Sequence, residues 1–289
     1  MAELLKGKPV VDSMALDLRA RIEALGRAKV VPALALVRVG QRPDDLSYER
    51  TARKRAESLG IAIRPYELDE FAPQAAIEAA IHEVNRDENV HGCLLFRPLP
   101  SFVDESHMCE LLDPKKDIDG ITLASLASVF TDGHAGYPPA TAAACIQLLD
   151  HYQVPLQGKH VVVVGRSLVV GKPVSMMLLR RNATMTLCHS RTENLAEVVR
   201  ASDVVICATG RARMFGAEFF RPGQTVLDVG INFDAEGNLC GDVDFDAAEP
   251  VVDALTPVPR GLGTVTTSVT MAHTVAAAEA ALAAREGGR

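Results

Sequence analysis

The 289-residue chain is mildly acidic, with 37 Asp and Glu residues against 30 Lys and Arg, and 48% of its residues are hydrophobic. This composition predicts a globular protein of roughly two domains with substantial cores. A net charge of −7 argues against a nucleic-acid-binding surface and against membrane attachment through a basic patch.

The sequence predicts neither export nor a membrane span. The N-terminal segment lacks the long apolar core of a secretory signal, and the longest apolar stretches fall short of the ~20 residues that cross a bilayer. Six scattered cysteines without a C-x-x-C pair favour buried, reduced thiols, and the histidines show no metal-binding spacing. We therefore expect a cytoplasmic protein that binds no metal.

The first half of the chain alternates helical and strand patterns. The predicted elements are a helix over 11–28, a strand over 33–39, a helix over 44–59, a strand over 61–68, a helix over 73–85 and a strand over 90–96. Gly60 stands where the C-cap of the second of these helices is expected. The strand–helix–strand series predicts a parallel sheet.

The second half repeats the alternation with shorter units. Strands are predicted at 160–164, 184–188, 204–207 and 225–229, a turn at 234–238, and an alanine-rich helix over 266–285. This series is typical of a doubly wound α/β sheet.

Residues 164–173, Val-Gly-Arg-Ser-Leu-Val-Val-Gly-Lys-Pro, form the most informative segment. They join a predicted strand to a helix with Pro173 in its first turn. A helix N-terminus offers unpaired N–H groups and a favourable dipole, so an anionic phosphate could bind there. The usual G-x-G-x-x-G is absent, and five residues separate Gly165 from Gly171. Spacing alone leaves open a dinucleotide site and an ordinary strand–turn–helix connection.

Several short blocks occur in a fixed order along nearly the whole chain. They are Tyr48 in its helix, Arg97-Pro98-Leu99-Pro100, Lys116-Asp117-Ile118-Asp119-Gly120, Gly165-Arg166-Ser167, Cys188-His189-Ser190-Arg191-Thr192, Asp228-Val229-Gly230-Ile231-Asn232, Gly241-Asp242-Val243-Asp244 and Thr256-Pro257-Val258-Pro259. Together they resemble the bifunctional methylenetetrahydrofolate dehydrogenase/methenyltetrahydrofolate cyclohydrolase family.

The resemblance implies a two-domain α/β fold and a homodimer. We expect an N-terminal α/β substrate domain of residues 1–145 plus 270–289, and a Rossmann-like cofactor domain of residues 146–269, with a reduced folate bound in the cleft between them. Tyr48 and Asp119 are the candidate catalytic residues. The residues expected to bind substrate are Tyr48, Pro98, Leu99, Asp119, Pro259, Arg260 and Gly261.

The cofactor that the resemblance implies is NADP. Arg166 follows the first strand of the doubly wound sheet, and Ser190 and Arg191 follow the second, where an adenosine ribose lies. A hydroxyl and two guanidiniums suit a 2′-phosphate, whereas an acidic residue there favours NAD; arginines merely exposed to solvent are the alternative. The residues expected to bind cofactor are Gly165, Arg166, Ser167, Gly171, Ser190, Arg191, Gly210, Gly230, Ile231 and Thr266.

The chain departs from the family pattern on the substrate side. The family has Lys one helical turn after the tyrosine, on the same face, but this chain has Ala52. Lys54 lies roughly 200° further around the helix and should face elsewhere. The family's Gln is replaced by Phe96. Tyr48 is expected to stack on the substrate, because an ordinary phenol has a pKa near ~10 and is a poor base.

Further departures fall in blocks that contact folate in the family. The family's Pro-Cys-Thr-Pro is Pro139-Ala140-Thr141-Ala142 here, and its glycine-rich block is Pro259-Arg260-Gly261-Leu262-Gly263-Thr264-Val265-Thr266. Arg97 and Arg260 could replace the lost Lys electrostatically, bind a glutamate tail, indicate a different substrate, or do no chemistry. His189 is expected to order its loop and to take no part in the reaction.

The two family reactions make different demands on these residues. Hydride removal from methylenetetrahydrofolate needs positioning, because nitrogen lone pairs stabilise the cation. Hydrolysis of the methenyl product needs proton transfer, which the Lys and Gln serve in the family. We therefore predict an NADP-dependent dehydrogenase whose cyclohydrolase activity is weak or lost. Two alternatives are an NADP-dependent enzyme acting on another cyclic amine or pterin-like substrate, and a non-catalytic NADP- or folate-binding protein.

Overall fold

The computed structural model describes residues 1–133 and 135–287, which form two compact units. The three-stranded unit comprises Ser13–Ala140 and Thr267–Arg289, and the six-stranded unit comprises Met1–Asp12 and Thr141–Thr266. These divisions lie close to the predicted boundaries at 145 and 269. The first twelve residues, however, belong to the six-stranded unit and not to the N-terminal domain, because a short strand at Glu3–Leu4 pairs with Ala254–Leu255.

The three-stranded unit is built from alternating strands and helices. Its elements are β2 (Ala33–Val39), α2 (Pro43–Leu59), β3 (Ala62–Leu68), α3 (Gln74–Arg86), β4 (Gly92–Leu95), α4 (Glu105–Leu111) and α5 (Leu123–Thr131), with most of α1 (Gly7–Arg27) and of α10 (Gly263–Gly287).

The sheet of this unit has the order β3-β2-β4, with parallel pairing on both sides of β2. All seven residues of β2 are buried, which accounts for its largely apolar sequence. The charged residue of the strand, Arg38, pairs with the buried Glu49 at 2.6 Å. The helix α2 begins with Pro43 at its first turn and ends at Gly60, whose φ of 81° is the expected left-handed cap. The loops after β2 and β4 therefore lie together at the carboxyl edge of the sheet, where ligands bind in open α/β folds.

The six-stranded unit has a doubly wound arrangement. Its elements are β1 (Glu3–Leu4), α6 (Ala140–His151), β5 (His160–Val164), α7 (Gly171–Leu179), β6 (Thr184–Cys188), α8 (Leu195–Arg200), β7 (Val204–Cys207), a 3₁₀ turn (Ala217–Phe219), β8 (Thr225–Asp228), β9 (Asn232–Phe233), β10 (Leu239–Cys240), α9 (Phe245–Ala248) and β11 (Ala254–Leu255).

The main sheet of this unit runs β1-β11-β8-β7-β5-β6 with every pair parallel. The strand order reverses at β5, because β6 lies on one side of it and β7 on the other. This reversal places the switch point of the sheet directly after Val164. The predicted α/β fold with a Rossmann-like second domain is confirmed.

Elements with a strong apolar pattern have the predicted bounds. The strands β2, β5, β6 and β7 begin and end as expected, and β8 ends one residue earlier than expected. The strand β4 is shorter than predicted, because Val90 and His91 precede it in the loop after α3. The short elements β1, β9, β10, β11, α4, α5, α6, α8 and α9 were not predicted, since most span too few residues to show a periodicity.

The six cysteines are all buried and free, as expected of reduced core thiols. Among the residues that the structure describes, no helix is long and apolar enough to span a membrane.

Candidate functional site

The turn after β5 brings Gly165 and Gly171 into contact, although five residues separate them. A Cβ at Gly171 would collide with the carbonyl oxygen of Gly165, and a Cβ at Gly165 with that of Ala208. The turn is closed by Ser167, whose Oγ accepts from the Val170 N–H at 3.1 Å. The two glycines therefore let backbone segments approach closely, which is the purpose that glycines serve in a dinucleotide-binding turn.

A cavity of about 330 Å³ opens beside this turn at the switch point of the six-stranded sheet. Its polar lining comes from the turn after β5 and from the loops after β6 and β7. The residues that line it are Val164, Gly165, Arg166, Ser167, His189, Ser190, Leu195, Ala208, Thr209, Arg211 and Met214. The donor set, with two guanidiniums and serine hydroxyls beside a glycine turn, fits a phosphorylated dinucleotide.

Only part of the predicted cofactor set lines this cavity. Gly165, Arg166, Ser167 and Ser190 do, whereas Gly171, Arg191, Gly210, Gly230, Ile231 and Thr266 are not among its lining residues. Gly171 is the first residue of α7. Arg211 was not predicted; it lies after β7 and adds a second guanidinium to the cavity.

The cavity loop after β7 is fixed by Asp242, a fully buried carboxylate. Asp242 accepts hydrogen bonds from the backbone N–H groups of Thr209, Gly210 and Arg211, and from the hydroxyl of Thr209. It also accepts from the Asn232 side chain. The backbone at Gly210 thus depends on an acid more than thirty residues away.

A second buried acid, Asp228 at the end of β8, supports Asp242. Its carboxylate accepts from the N–H groups of Gly230, Asp242 and Val243, each at 2.9 Å. Burial raises the pKa of Asp228 to about 7 despite these three hydrogen bonds. Sequence reasoning assigned neither acid a role, because only the fold brings their partners together.

His189 orders the loop after β6, as predicted. Its Nδ1 accepts from the Arg191 N–H at 3.1 Å, and its own N–H donates to the Thr192 hydroxyl at 2.9 Å. These bonds hold the segment that presents Ser190 to the cavity.

In the three-stranded unit, Tyr48 lies on α2 with its phenol directed at α10. Its hydroxyl hydrogen-bonds with the side chains of Thr267 and Thr270. Burial, and then the charge of Asp119, raise the pKa of Tyr48 well above 10. Tyr48 is therefore neutral at physiological pH and cannot serve as a base there. Sequence reasoning did not identify the two threonines.

Asp119 is the acid that faces Tyr48. Burial raises its pKa to about 7, while the charge of Arg97 lowers it and that of Asp117 raises it. Asp117 itself is fully buried and holds the loop by accepting from the N–H groups of Ile121 and Thr122 and from the Ser125 hydroxyl. These hydrogen bonds hold the loop that carries Asp119 in one conformation.

The position one turn after Tyr48 is closed to water. Ala52 is 0% exposed and Phe96 is 5% exposed, and both belong to one apolar cluster with Leu36, Leu94 and Ile118. Lys54 is exposed, as expected from its position on the helix relative to Ala52. In the described part of this unit, no lysine hydrogen-bonds or ion-pairs with Tyr48.

The predicted substrate residues fall in both units. In the three-stranded unit, the Leu99 N–H donates to Glu105 at 2.7 Å, and the Pro98 carbonyl accepts from Arg42 at 2.7 Å. Arg97 lies 3.8 Å from the same Glu105. These contacts anchor the loop after β4 at the carboxyl edge of the sheet.

In the six-stranded unit, Pro259 and Arg260 are exposed and Gly261 is buried. Arg260 has a φ of 79°, in the left-handed region, and its carbonyl accepts from the Gly7 N–H at 2.9 Å.

Both parts of the chain match one protein family. Residues 5–119 match the catalytic domain of tetrahydrofolate dehydrogenase/cyclohydrolase, and residues 139–282 match the NAD(P)-binding domain of the same family. The chain belongs to the tetrahydrofolate dehydrogenase/cyclohydrolase family. The resemblance drawn from the sequence blocks is confirmed.

Individual relatives match over nearly their whole length. The bifunctional protein FolD of Carboxydothermus hydrogenoformans is 48% identical over 281 residues, which cover 96% of this chain and 98% of that protein. The crystal structure of the bifunctional FolD dehydrogenase/cyclohydrolase of Campylobacter jejuni is 32% identical, with a TM-score of 0.93 and coverage of 96% and 99%. The Trypanosoma brucei FolD, solved with NADP and an inhibitor, is 31% identical, with a TM-score of 0.91 and coverage of 97% and 98%.

The family match also tests the predicted cofactor. Since the NAD(P)-binding domain of the family matches five of the six strands of this sheet, the expectation of a nicotinamide dinucleotide is confirmed. Among the described residues, no group of three or more His, Cys, Asp or Glu is placed to hold a metal ion.

Proposed function

We propose that this member of the family is an NADP-dependent dehydrogenase that oxidises 5,10-methylenetetrahydrofolate to methenyltetrahydrofolate, and that its cyclohydrolase activity is weak or lost. Family membership and the FolD relatives support the folate substrate. The choice of NADP over NAD is supported by the cavity beside Gly165, which carries Arg166, Arg211 and Ser190 and no acid among its lining residues.

In this proposal the cofactor supplies the hydride acceptor, and the chain's own residues hold it in place. Arg166 and Ser190 bind the 2′-phosphate through charge-assisted hydrogen bonds. Gly165 admits the diphosphate to the turn, because any larger residue would displace the backbone at Ala208. Asp242 keeps the loop after β7 in the conformation that completes the cavity.

On the substrate side, the residues of the chain hold the folate in position for hydride transfer. The carbon between N5 and N10 gives up a hydride, and the nitrogen lone pairs stabilise the cation, so no protein base is required at this step. Tyr48 stays neutral and offers its ring for stacking, with its hydroxyl held by Thr267 and Thr270. Asp119 hydrogen-bonds the pterin ring, in the role that family members give this residue.

The proposed loss of hydrolysis depends on one observation: the site of the family's lysine is filled by packed apolar side chains. Hydrolysis of the methenyl group requires a proton to leave the attacking water and another to reach the nitrogen. Ala52 and Phe96 have no group that can transfer a proton. The raised pKa of Tyr48 keeps its phenol protonated, so it cannot accept one. Asp119 is committed to the pterin. The hydride step is spared, because it depends on geometry alone.

Two assays on the purified protein test this proposal. With methylenetetrahydrofolate and NADP, we expect rapid growth of the reduced-nicotinamide absorbance, with a much lower kcat/KM when NAD is supplied. With methenyltetrahydrofolate alone, we expect decay little faster than without enzyme. The variant Lys54→Gln should leave both rates unchanged, since Lys54 is exposed.

Each contrary result has a distinct meaning. Brisk hydrolysis would refute the loss of cyclohydrolase activity but leave the dehydrogenase standing. Binding of NADP without reduction would refute the dehydrogenase with this substrate. In that case a thermal-shift screen of pterins and cyclic amines would separate an altered substrate from a non-catalytic binding protein.

We also propose a cytoplasmic homodimer, which the family resemblance supports. Sedimentation equilibrium of the purified chain tests the dimer: a mass of twice 30.9 kDa is expected, and a monomer at micromolar concentration would contradict it.

A further inference from the structure

A second cavity lies in the three-stranded unit, at the edge of the sheet where the strands begin. We call it the amino-edge cavity, since it is opposite the carboxyl edge where the loops after β2 and β4 lie. It has a volume of about 410 Å³ and is bounded by the start of β2, the start of β3 and the loop before β4. The residues that line it are Lys29, Val30, Val31, Ala33, Ala62, Arg64, Asp87, Glu88, Asn89, His91 and Arg285. The seven-residue strand β2 spans roughly 20 Å, so this amino-edge cavity is remote from the predicted folate residues at the carboxyl edge of the same sheet.

The floor of the amino-edge cavity contains a buried imidazole with a fixed tautomer. His91 is 6% exposed, and its Nδ1 accepts from the Ala33 N–H at 3.1 Å. Its backbone N–H donates back to the Ala33 carbonyl. Because Nδ1 is an acceptor, the ring proton is on Nε2, and among the described residues Nε2 has no hydrogen-bond acceptor. Because His91 lines the cavity, this N–H is accessible from the cavity and can donate to a bound ligand.

The rim of the amino-edge cavity carries more positive than negative charge. Lys29, Arg64 and Arg285 face Asp87 and Glu88. Arg285 pairs with Glu88 at 3.3 Å, while the Asp87 carboxylate accepts from the N–H of Asn89 within its own loop. Lys29 and Arg64 form no ion pair with any described residue. Two cations and one imidazole N–H therefore remain available in one concave site.

The charges also act on the imidazole itself. Burial, and then the charges of Arg285 and Lys116, lower the pKa of His91 below its usual value, so the ring is neutral at pH 7 and is a donor at Nε2 only. The Nε2–H of His91 can donate to an anion, and the charges of Lys29 and Arg64 attract an anion and repel a metal ion.

We propose that the amino-edge cavity binds a small oxyanion with phosphate or carboxylate chemistry, held by Lys29, Arg64 and the Nε2–H of His91. The volume lies within the range of roughly 300–1,000 Å³ that is usual for small-molecule sites. This site is distinct from the cofactor cavity, which belongs to the other unit, and the inference does not depend on the proposed function.

Isothermal titration calorimetry tests the site directly. The protein is first saturated with NADP, so that phosphate groups of the cofactor fill their own site, and is then titrated with inorganic phosphate, pyrophosphate or citrate against sodium chloride of equal ionic strength. We expect saturable binding of one equivalent. Binding of the phosphates without citrate identifies a phosphoryl ligand, and the reverse identifies a carboxylate ligand.

Variants test whether the anion binds in this cavity. Lys29→Gln and Arg64→Gln should each weaken the affinity about tenfold, the usual effect of one lost charge-assisted hydrogen bond. Arg19→Gln, which removes an exposed charge of α1 elsewhere on the same unit, should not change it. The ¹⁵N resonance of His91 Nε2 should shift on titration in the wild type. The proposal is overturned if no ligand binds beyond chloride, if Arg19→Gln weakens binding equally, or if neither cavity variant has an effect.

Discussion

Tyr48 and Phe96 lie edge to face, with ring centroids 5.9 Å apart and planes inclined by 75°. The edge of one ring meets the face of the other in the arrangement that aromatic pairs favour. Phe96 thereby covers the helix turn that contains Ala52, and the phenol is held on its other side by α10. The aromatic pair thus occupies the region where the family resemblance leads us to expect a lysine and a glutamine.

The first prediction concerns restored hydrolysis. In the double variant Ala52→Lys with Phe96→Gln, an ammonium regains a polar partner, and we expect hydrolysis of methenyltetrahydrofolate to rise at least tenfold above wild type. Ala52→Lys alone should unfold at lower temperature, because it buries an ammonium against Phe96. The decay of methenyltetrahydrofolate absorbance measures the gain. If the double variant is folded and hydrolyses no faster than wild type, these two positions do not account for the proposed loss of hydrolysis.

A second prediction separates the two arginines expected to select NADP. Arg166 lines the cofactor cavity and Arg191 does not. Arg166→Gln should therefore lower the ratio of kcat/KM for NADP to that for NAD by at least tenfold, while Arg191→Gln changes it only slightly. Binding of 2′,5′-ADP and of 5′-AMP, measured by calorimetry, gives the same comparison without catalysis. Equal effects of both substitutions would show that the cavity does not mark the 2′-phosphate site.

The third prediction tests Asp242 as the residue that positions the loop after β7. Asp242→Asn replaces an acceptor oxygen by an NH₂ group that faces backbone donors. We expect the Kd for NADP to rise at least tenfold and the Tm to fall, with folate binding almost unchanged, because the substitution disturbs only the six-stranded unit. The exposed neighbour Asp246→Asn is the control. A normal Kd for NADP in a destabilised Asp242→Asn protein would mean that the acid serves stability alone.

The raised pKa of Asp119 predicts that the stability of the protein depends on pH. The pKa of Asp119 is about 7 in the folded protein, above its ordinary value of 3.8. The folded state therefore binds a proton that the unfolded state releases between those values, so Asp119 costs progressively more stability as the pH rises from 4 to 7. Asp119→Asn removes this cost. The variant should gain on the order of 2 kcal/mol relative to wild type by pH 8, allowing for partial exposure of the carboxyl group.

Urea unfolding of both proteins from pH 4 to pH 8 checks that sign. Glu57→Gln, an exposed change on α2, should show the same pH dependence as wild type. A stability difference that shrinks with rising pH would contradict the raised pKa of Asp119.

The last prediction concerns the phenol of Tyr48. Because its pKa is well above 10, the pH profile of kcat below pH 9 should be the same in wild type and in Tyr48→Phe. Tyr48→Phe should keep kcat within a few-fold and lose about 1 kcal/mol of stability with its hydrogen bonds. Tyr48→Ala should raise the KM for folate much further, because it removes the ring. Loss of activity in Tyr48→Phe comparable to that in Tyr48→Ala would show that the hydroxyl takes part in the reaction.

The parallel strands and the glycine turn could be predicted from local patterns of residues. The strands β5 and β7 are buried along almost their whole length, so a continuous apolar run predicts where each of them lies. The same local pattern identified the turn at Gly165 and the cap at Gly60. The proposal that a lysine of the family is replaced by Ala52 also comes from the sequence, since residues four apart in a helix lie on one face.

The groups that complete the sites come from distant parts of the chain and are brought together by the fold. Asp242 reaches Gly210 from thirty-two residues away, Thr267 and Thr270 meet Tyr48 from the far end of the chain, and His91 joins Arg285 beside Lys29. None of these pairings leaves a periodic or local signal, because each depends on the order of strands in a sheet or on the packing of one helix against another. The burial that raises the pKa of Asp119 and lowers that of His91 arises in the same way, from neighbours that the chain supplies only once it has folded.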